Sequence, residues 1–253
     1  MTRKALFSLA IVMGALARQG DVRACSCVGP HLAFLSPSTS AAPTNARVRV
    51  MAPSTGFVAS QLVLRVHGGA VIATTAKTYP EPIVTIVELV PNALLPASTR
   101  FEIASTDPSA HPPTTVIGTF TTGTAADTTA PRLDSLGKQR TRLNANFGGG
   151  MCTIAGPWIE LEDFVAHDDR ADAQLVFGVW APNASGVIDT TRQPDAILFP
   201  YERHLAIGHT SLCDPRRFAF SGSVVSLAVA AFDESGNMSR AIRLRADLTK
   251  NTP

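Results

Sequence analysis

The stretch Gly118-Thr-Phe-Thr-Thr-Gly-Thr-Ala-Ala-Asp-Thr-Thr-Ala-Pro-Arg132 decides how this chain divides. Thr119 to Thr122 are β-branched or aromatic and read as a closing strand. Gly123 stops that strand, and a small polar run ends at Pro131. A second set of strand signals begins at Arg132, so the stretch is read as the end of one β-domain, a linker, and the start of another.

Working back toward the N-terminus, short strand signals recur at sandwich-like spacing over Ala46–Met51, Gln61–Val66, Val71–Thr78, Ile83–Val90, Phe101–Ser105 and Val116–Thr122. In Gln61–Val66, Leu62, Leu64 and Val66 share one face, the period of a half-buried strand. Forward of the linker, strands are expected over Arg132–Leu136, Cys152–Ile154, Trp158–Phe164, Leu175–Trp180, Ile197–Phe199, Ser223–Phe232 and Met238–Ala246. A turn is expected at Asp233-Glu-Ser-Gly-Asn237. No segment beyond the N-terminal one sustains apolar residues at helical spacing for three turns, so helix is expected to be scarce.

Four motifs carry a family resemblance. Leu95-Pro-Ala-Ser-Thr-Arg-Phe101 resembles the corner leading into strand F of bacterial Ig-like and fibronectin type III-like domains, with Phe101 where the motif usually has Tyr. Gly118–Gly123 is similar to the last strand of those domains. Asp127-Thr-Thr-Ala-Pro131 and the run through Asp233–Asn237 resemble the linker and ending of tandem arrays. The resemblance implies two antiparallel β-sandwiches in tandem, an all-β fold, and a buried Trp180 near a disulfide. It implies no particular function.

At the N-terminus, Arg3 and Lys4 precede the apolar run Ala5–Ala17 and a polar segment to Val22-Arg23-Ala24, the order of a secretory signal peptide. The run is shorter than the roughly 20 residues of a membrane-spanning helix, and no later run is long enough. Cleavage after Ala24 is preferred to cleavage after Ala17. It leaves Cys25 at the mature N-terminus, where a lipid anchor is the competing reading, although Arg23 departs from the usual lipoprotein signal. The expected organisation is a signal peptide over residues 1–24, a Pro/Ser/Thr-rich lead-in over 25–43, a first domain over 44–124, a linker over 125–131 and a second domain over 132–248.

Export favours oxidised thiols, and the four cysteines allow three pairings. Cys152 with Cys213 is preferred, because both fall in the second half, leaving Cys25 and Cys27 as either a strained local bridge or a pair of modified thiols. A formal net charge of +2 with no clustered Lys/Arg face argues against nucleic acid as a partner. Charged residues make up only 17% of the 253, against about 25% in typical domains, so much of the surface is Thr, Ser, Asn and Gln.

Candidate chemistry is sparse. Glu160, Glu162, Asp163, Asp168, Asp169 and Asp172 form an acidic cluster without EF-hand spacing. It is read as a solvated loop, with Asp168, Asp169 and Asp172 as the ligands if calcium binds. His167, His204 and His209 lack an H-E-x-x-H arrangement, and no nucleophile elbow or phosphate loop occurs; Gly148–Gly150 reads as a turn. Trp158 and Tyr201 are candidates for an aromatic sugar or peptide platform, with core packing as the rival reading. The expectation is a non-catalytic exported protein, in the envelope or secreted, that binds, adheres or spaces. Its partner would be an envelope protein or polysaccharide, and it would need no cofactor beyond that calcium. The alternatives are a metal-assisted hydrolase using His204, His209 and the Asp168 region, and an accessory carbohydrate-binding module.

Overall fold

The computed structural model describes residues 32–37, 41–53, 57–80, 84–106, 114–146, 153–200, 202–208, 220 and 222–252. The segment read as a signal peptide, all four cysteines, Gly148–Gly150, Tyr201 and His209 lie outside the described residues. Among the described residues the structure is all-β, with one 3-10 turn at Ala59–Gln61 and no helix long and apolar enough to cross a membrane.

In the N-terminal half, β1 (Ala33–Ser36), β2 (Val48–Pro53), β4 (Thr74–Pro80) and β5 (Val84–Pro91) form one antiparallel sheet in the order β1-β2-β5-β4. A second sheet has the order β3-β6-β7, from β3 (Leu62–Val66), β6 (Arg100–Thr106) and β7 (Thr114–Thr121). The inward residues alternate as the strand period requires: Val48, Val50 and Ala52 of β2 and Val87 and Leu89 of β5 meet Leu62, Leu64, Phe101, Ile103 and Phe120 of the facing sheet. Phe101 and Phe120 stack with ring centroids 5.2 Å apart. Burying a large side chain of this kind contributes about 1.5–3 kcal/mol.

The corner before β6 lacks a tyrosine hydroxyl, and a threonine supplies one. Thr122 Oγ1 donates to the carbonyl of Pro96 at 2.6 Å and accepts from the Thr99 N–H at 3.0 Å. The bend is fixed from the end of β7, and Phe101 is free to be wholly buried.

In the C-terminal half, β9 (Lys138–Asn146), β10 (Thr153–Glu162) and β14 (His204–Ile207) form a sheet in the order β14-β10-β9. β12 (Val176–Trp180), β13 (Ala196–Leu198), β15 (Val224–Phe232) and β16 (Ile242–Asp247) form a sheet in the order β13-β12-β15-β16. β8 (Arg132–Ser135) and β11 (Val165–His167) make a separate pair. A second core lies between these sheets. It is built from Ile159, Leu161, Leu205 and Ile207 on one side and Phe177, Val179, Leu227, Val229 and Leu244 on the other.

The halves meet face to face. The outward side chains Tyr79 and Ile86 of the first sheet are buried against Val176 and Ile197, with Leu35, Met51, Phe199 and Phe232 packed around them. The strands that reach this contact are therefore buried on both faces, which explains the unbroken burial of Ile86 through Leu89.

Candidate functional site

The contact between the halves holds a buried polar network. On the outward face of β2, Arg49 lies directly opposite Glu88 of β5. Its Nε donates to Glu88 Oε2 at 2.9 Å, and both side chains are almost wholly buried. Arg47 adds a contact to Glu88 Oε1 at 3.2 Å, and the Tyr79 hydroxyl lies 3.5 Å from the same oxygen. Burial, followed by the Glu88 charge, pushes the Tyr79 hydroxyl well above its ordinary range. The remaining guanidinium nitrogens of Arg49, Nη1 and Nη2, both donate to the carbonyl of Asp233, each at 3.1 Å.

Asp233 opens the turn that runs to Asn237, and the turn is closed by its own side chain. Oδ1 accepts from the N–H groups of Ser235 and Asn237 at 2.8 and 2.9 Å, and Oδ2 accepts from Asn237 Nδ2 at 2.7 Å. Burial raises the Asp233 carboxyl above its usual range and Asp127 adds to the rise, while these three bonds oppose it. The turn is tied to the N-terminal half through the Arg47 N–H to the Glu234 carbonyl at 2.7 Å. Glu234 itself receives Arg170 at 3.0 Å, and a second Arg170 nitrogen reaches the Ala41 carbonyl at 3.1 Å.

The segment read as a linker is held on both sides. Asn45 Nδ2 donates to the Asp127 carbonyl at 2.7 Å and Asn45 Oδ1 accepts the Asp127 N–H at 2.9 Å. Asn237 Nδ2 reaches the same carbonyl at 3.1 Å. No strand crosses residues 123–131, as expected, but Asp127 and Pro131 are buried. The connection is a pinned joint.

At this joint the carboxylates of Asp127, Asp168 and Asp169 converge, with one oxygen from each lying within 4.8 Å of the others; among the described residues no other group of three or more His, Cys, Asp or Glu has this geometry. Burial pushes the Asp168 carboxyl up to about 6, opposed by the Arg170 N–H and reinforced by Asp169, Asp233 and Asp127. The sequence had grouped Asp168 and Asp169 with Asp172. The fold instead turns Asp172 toward Arg170, at 3.6 Å, and brings in Asp127 from the joint.

The other acidic residues have structural partners. Glu160 and Glu162 on β10 pair with Arg142 at 2.9 Å and Arg140 at 3.1 Å on β9, a cross-strand ladder. Burial raises the Glu160 carboxyl, but hydrogen bonds from Arg142 and Trp158 outweigh it and hold the group below its usual range. Trp158 is buried at 4% exposure, and its Nε1 donates to Glu160 at 3.1 Å, so its ring offers no open platform. Trp180 is buried as well, with Nε1 on the Arg192 carbonyl and Phe232 at 5.9 Å. His167 and His204 are exposed on β11 and β14, outside the carboxylate group.

Beside the Arg49 network lies a cleft of about 330 Å³, lined from the N-terminal half by Arg47, Lys77 and Tyr79 and from the C-terminal half by Trp180, Arg192 and Met238. Sequence reasoning missed Arg49, Glu88 and the placement of Asp127 beside Asp168 and Asp169. Arg49 and Glu88 sit at outward strand positions, which a period-2 reading assigns to solvent.

No family model and no curated protein matches the chain. Among solved structures, the chain is similar at 8% identity to a pullulanase from Anoxybacillus sp. LM18-11, with 85% of this chain and 25% of that chain covered and a TM-score of 0.24. The same enzyme complexed with maltotriose gives 86% and 25% coverage at the same identity and TM-score. The chain thus spans about a quarter of the length of the solved chains it matches.

Proposed function

We propose that the chain is an exported, non-catalytic protein of the cell envelope or the secreted fraction, in which two Ig-like sandwich domains form a rigid unit that spaces or presents binding loops. The observation that carries this reading is the buried joint. Arg49, Glu88 and the Asp233–Asn237 turn hold one half against the other, as a spacer requires. The N-terminal sheet orders β1-β2-β5-β4 and β3-β6-β7 support the Ig-like assignment, since seven-stranded Ig sandwiches pair strands A-B-E-D and C-F-G. The hydrolase alternative draws no support from the exposed His204, and the carbohydrate-module alternative draws none from the buried Trp158. The partner is an envelope protein or polysaccharide, met by loops at the ends of the sandwiches.

Cell fractionation with intact-mass analysis tests export. The expected species begins at Cys25, with or without a lipid adduct, and a full-length chain confined to the cytosol overturns the reading. Small-angle scattering of the mature protein tests rigidity, with a single compact particle expected and a flexibly jointed one contrary. Non-reducing peptide mapping of the same material is expected to link Cys152 to Cys213, and a bridge from either to Cys25 or Cys27 overturns that pairing.

A further inference from the structure

We propose that Asp127, Asp168 and Asp169 form a binding site for a divalent cation of the calcium type at the joint between the halves. Two observations carry it independently of the acidic count. The first is spacing: calcium binds oxygens at 2.3–2.6 Å, so two ligands of one ion lie at most about 5 Å apart. One oxygen from each of the three carboxylates falls within 4.8 Å of the others.

The second observation is a buried carboxylate oxygen without a partner. Asp127 is only 8% exposed. Its Oδ1 accepts the Thr129 N–H at 2.9 Å, while its Oδ2 has no hydrogen-bond partner and no contact with solvent. Asp168 is only partly buried, with Oδ1 on the Arg170 N–H at 2.9 Å and an Oδ2 that is shut off from solvent with no protein N–H donating to it. Leaving such oxygens bare is costly, because a buried polar atom needs a partner to offset its desolvation. The adjacent Asp233 shows what this environment does when no cation is required, since protein donors engage both of its oxygens. At Asp127 and Asp168 the protein stops one donor short on each side chain.

Hard carboxylate oxygens without sulfur or imidazole select calcium over zinc. Magnesium demands shorter, near-octahedral bonds and retains water, which suits it less to three carboxylates on a joint and a loop. Asp127 is hydrogen-bonded through its backbone to Asn45 and Asn237, so a cation here would connect the loop after β11 to both halves. This mechanical consequence rests on the rigid-spacer reading; the binding itself does not.

The test is calorimetric titration of the mature chain with calcium chloride and, separately, magnesium chloride. One calcium is expected to bind with Kd on the order of 10⁻⁴ M or tighter, and magnesium more weakly. Asp127→Asn and Asp168→Asn are expected to weaken calcium by at least about tenfold, since even loss of a residue behind a metal ligand costs about 10–100-fold. Asp172→Asn is expected to bind as the wild type does. Because Asp127 is buried, Asp169→Asn, at an exposed position, supplies a variant that keeps the fold and must also weaken binding. Absence of both heat and thermal shift at millimolar calcium overturns the site, as does an Asp172→Asn loss equal to that of Asp169→Asn. Binding that leaves scattering and protease protection at residues 123–131 unchanged overturns the mechanical consequence alone.

Discussion

Arg49 places both terminal nitrogens of its guanidinium 3.1 Å from the Asp233 carbonyl oxygen, so a strand side chain of the N-terminal half holds a turn 184 residues further along the chain. The same guanidinium is neutralised by Glu88 from the neighbouring strand. A planar fork with five donors serves both contacts at once, which a lysine does not. The apolar contact around Ile86 and the polar contact around Arg49 lie on one sheet face, and together they fix how the halves sit.

Arg49→Ala is expected to destabilise the protein by about 3–5 kcal/mol, because it leaves the Glu88 carboxylate buried without its main partner. The paired change Arg49→Met with Glu88→Leu is expected to recover most of that loss, since two apolar side chains need no neutralisation. Urea denaturation of both variants checks this. Equal losses in the single and double variants would place the stabilisation in the bonds to Asp233 rather than in the ion pair.

Ile86→Asp introduces a charge among Tyr79, Val176 and Ile197 without touching either sandwich core. The halves are expected to separate, with a larger radius of gyration and faster proteolysis at residues 123–131 than in the wild type, where Asp127 is buried and tied. Each half should then survive as a protected fragment. Loss of all protection at once would show that neither half folds without the other.

How much of this was legible depended on whether a residue's environment came from its own strand or from a distant one. β3 and β15 follow alternation or apolar content, and their reading holds to within a residue or two. β9 was missed because its sequence, Lys-Gln-Arg-Thr-Arg-Leu-Asn-Ala-Asn, shows ion-pairing arginines where alternation looks for apolar residues. The separate strands expected at Cys152–Ile154 and Trp158–Phe164 are joined over Thr153–Glu162 in one strand, β10, whose register shifts between Ala155 and Trp158 and so accommodates Gly156-Pro157. The joint was illegible for a different reason. Arg49 and Glu88 are 39 residues apart, and only the docking of the other half turns their outward face into an interior.

Asp195 supplies a pH dependence. Burial alone would raise its carboxyl, but Arg192, at 2.6 and 2.7 Å, and the Ala181 N–H, at 2.7 Å, outweigh it and hold the group below its usual range. A depressed carboxylate stabilises the fold fully above its unfolded pKa of about 4 and loses that contribution as pH falls through the folded value. Asp195→Asn should therefore melt below the wild type at neutral pH, and the gap should close on acidification below about pH 4. The pair is about one-third exposed, so its ionic part is worth no more than about 1 kcal/mol. A gap that is constant with pH would assign the effect to packing of the 181–195 loop over Trp180.

Gly236 separates backbone strain from contact. Its φ of +83° suits glycine, and an added Cβ would fall on the Arg47 guanidinium that meets Glu88. Gly186 has a similar φ of +76°, yet a Cβ there meets nothing within 4 Å. Gly186→Ala should therefore cost only the left-handed backbone penalty, about 1–2 kcal/mol. Gly236→Ala should cost that and, in addition, whatever is lost when Arg47 is displaced from the joint. Thermal denaturation of the two variants side by side measures the difference, and adding Arg47→Ala to each identifies its source. If Arg47 is responsible, its removal narrows the gap between the two glycine variants. A gap unchanged by Arg47→Ala would locate the strain in the Asp233–Asn237 turn itself.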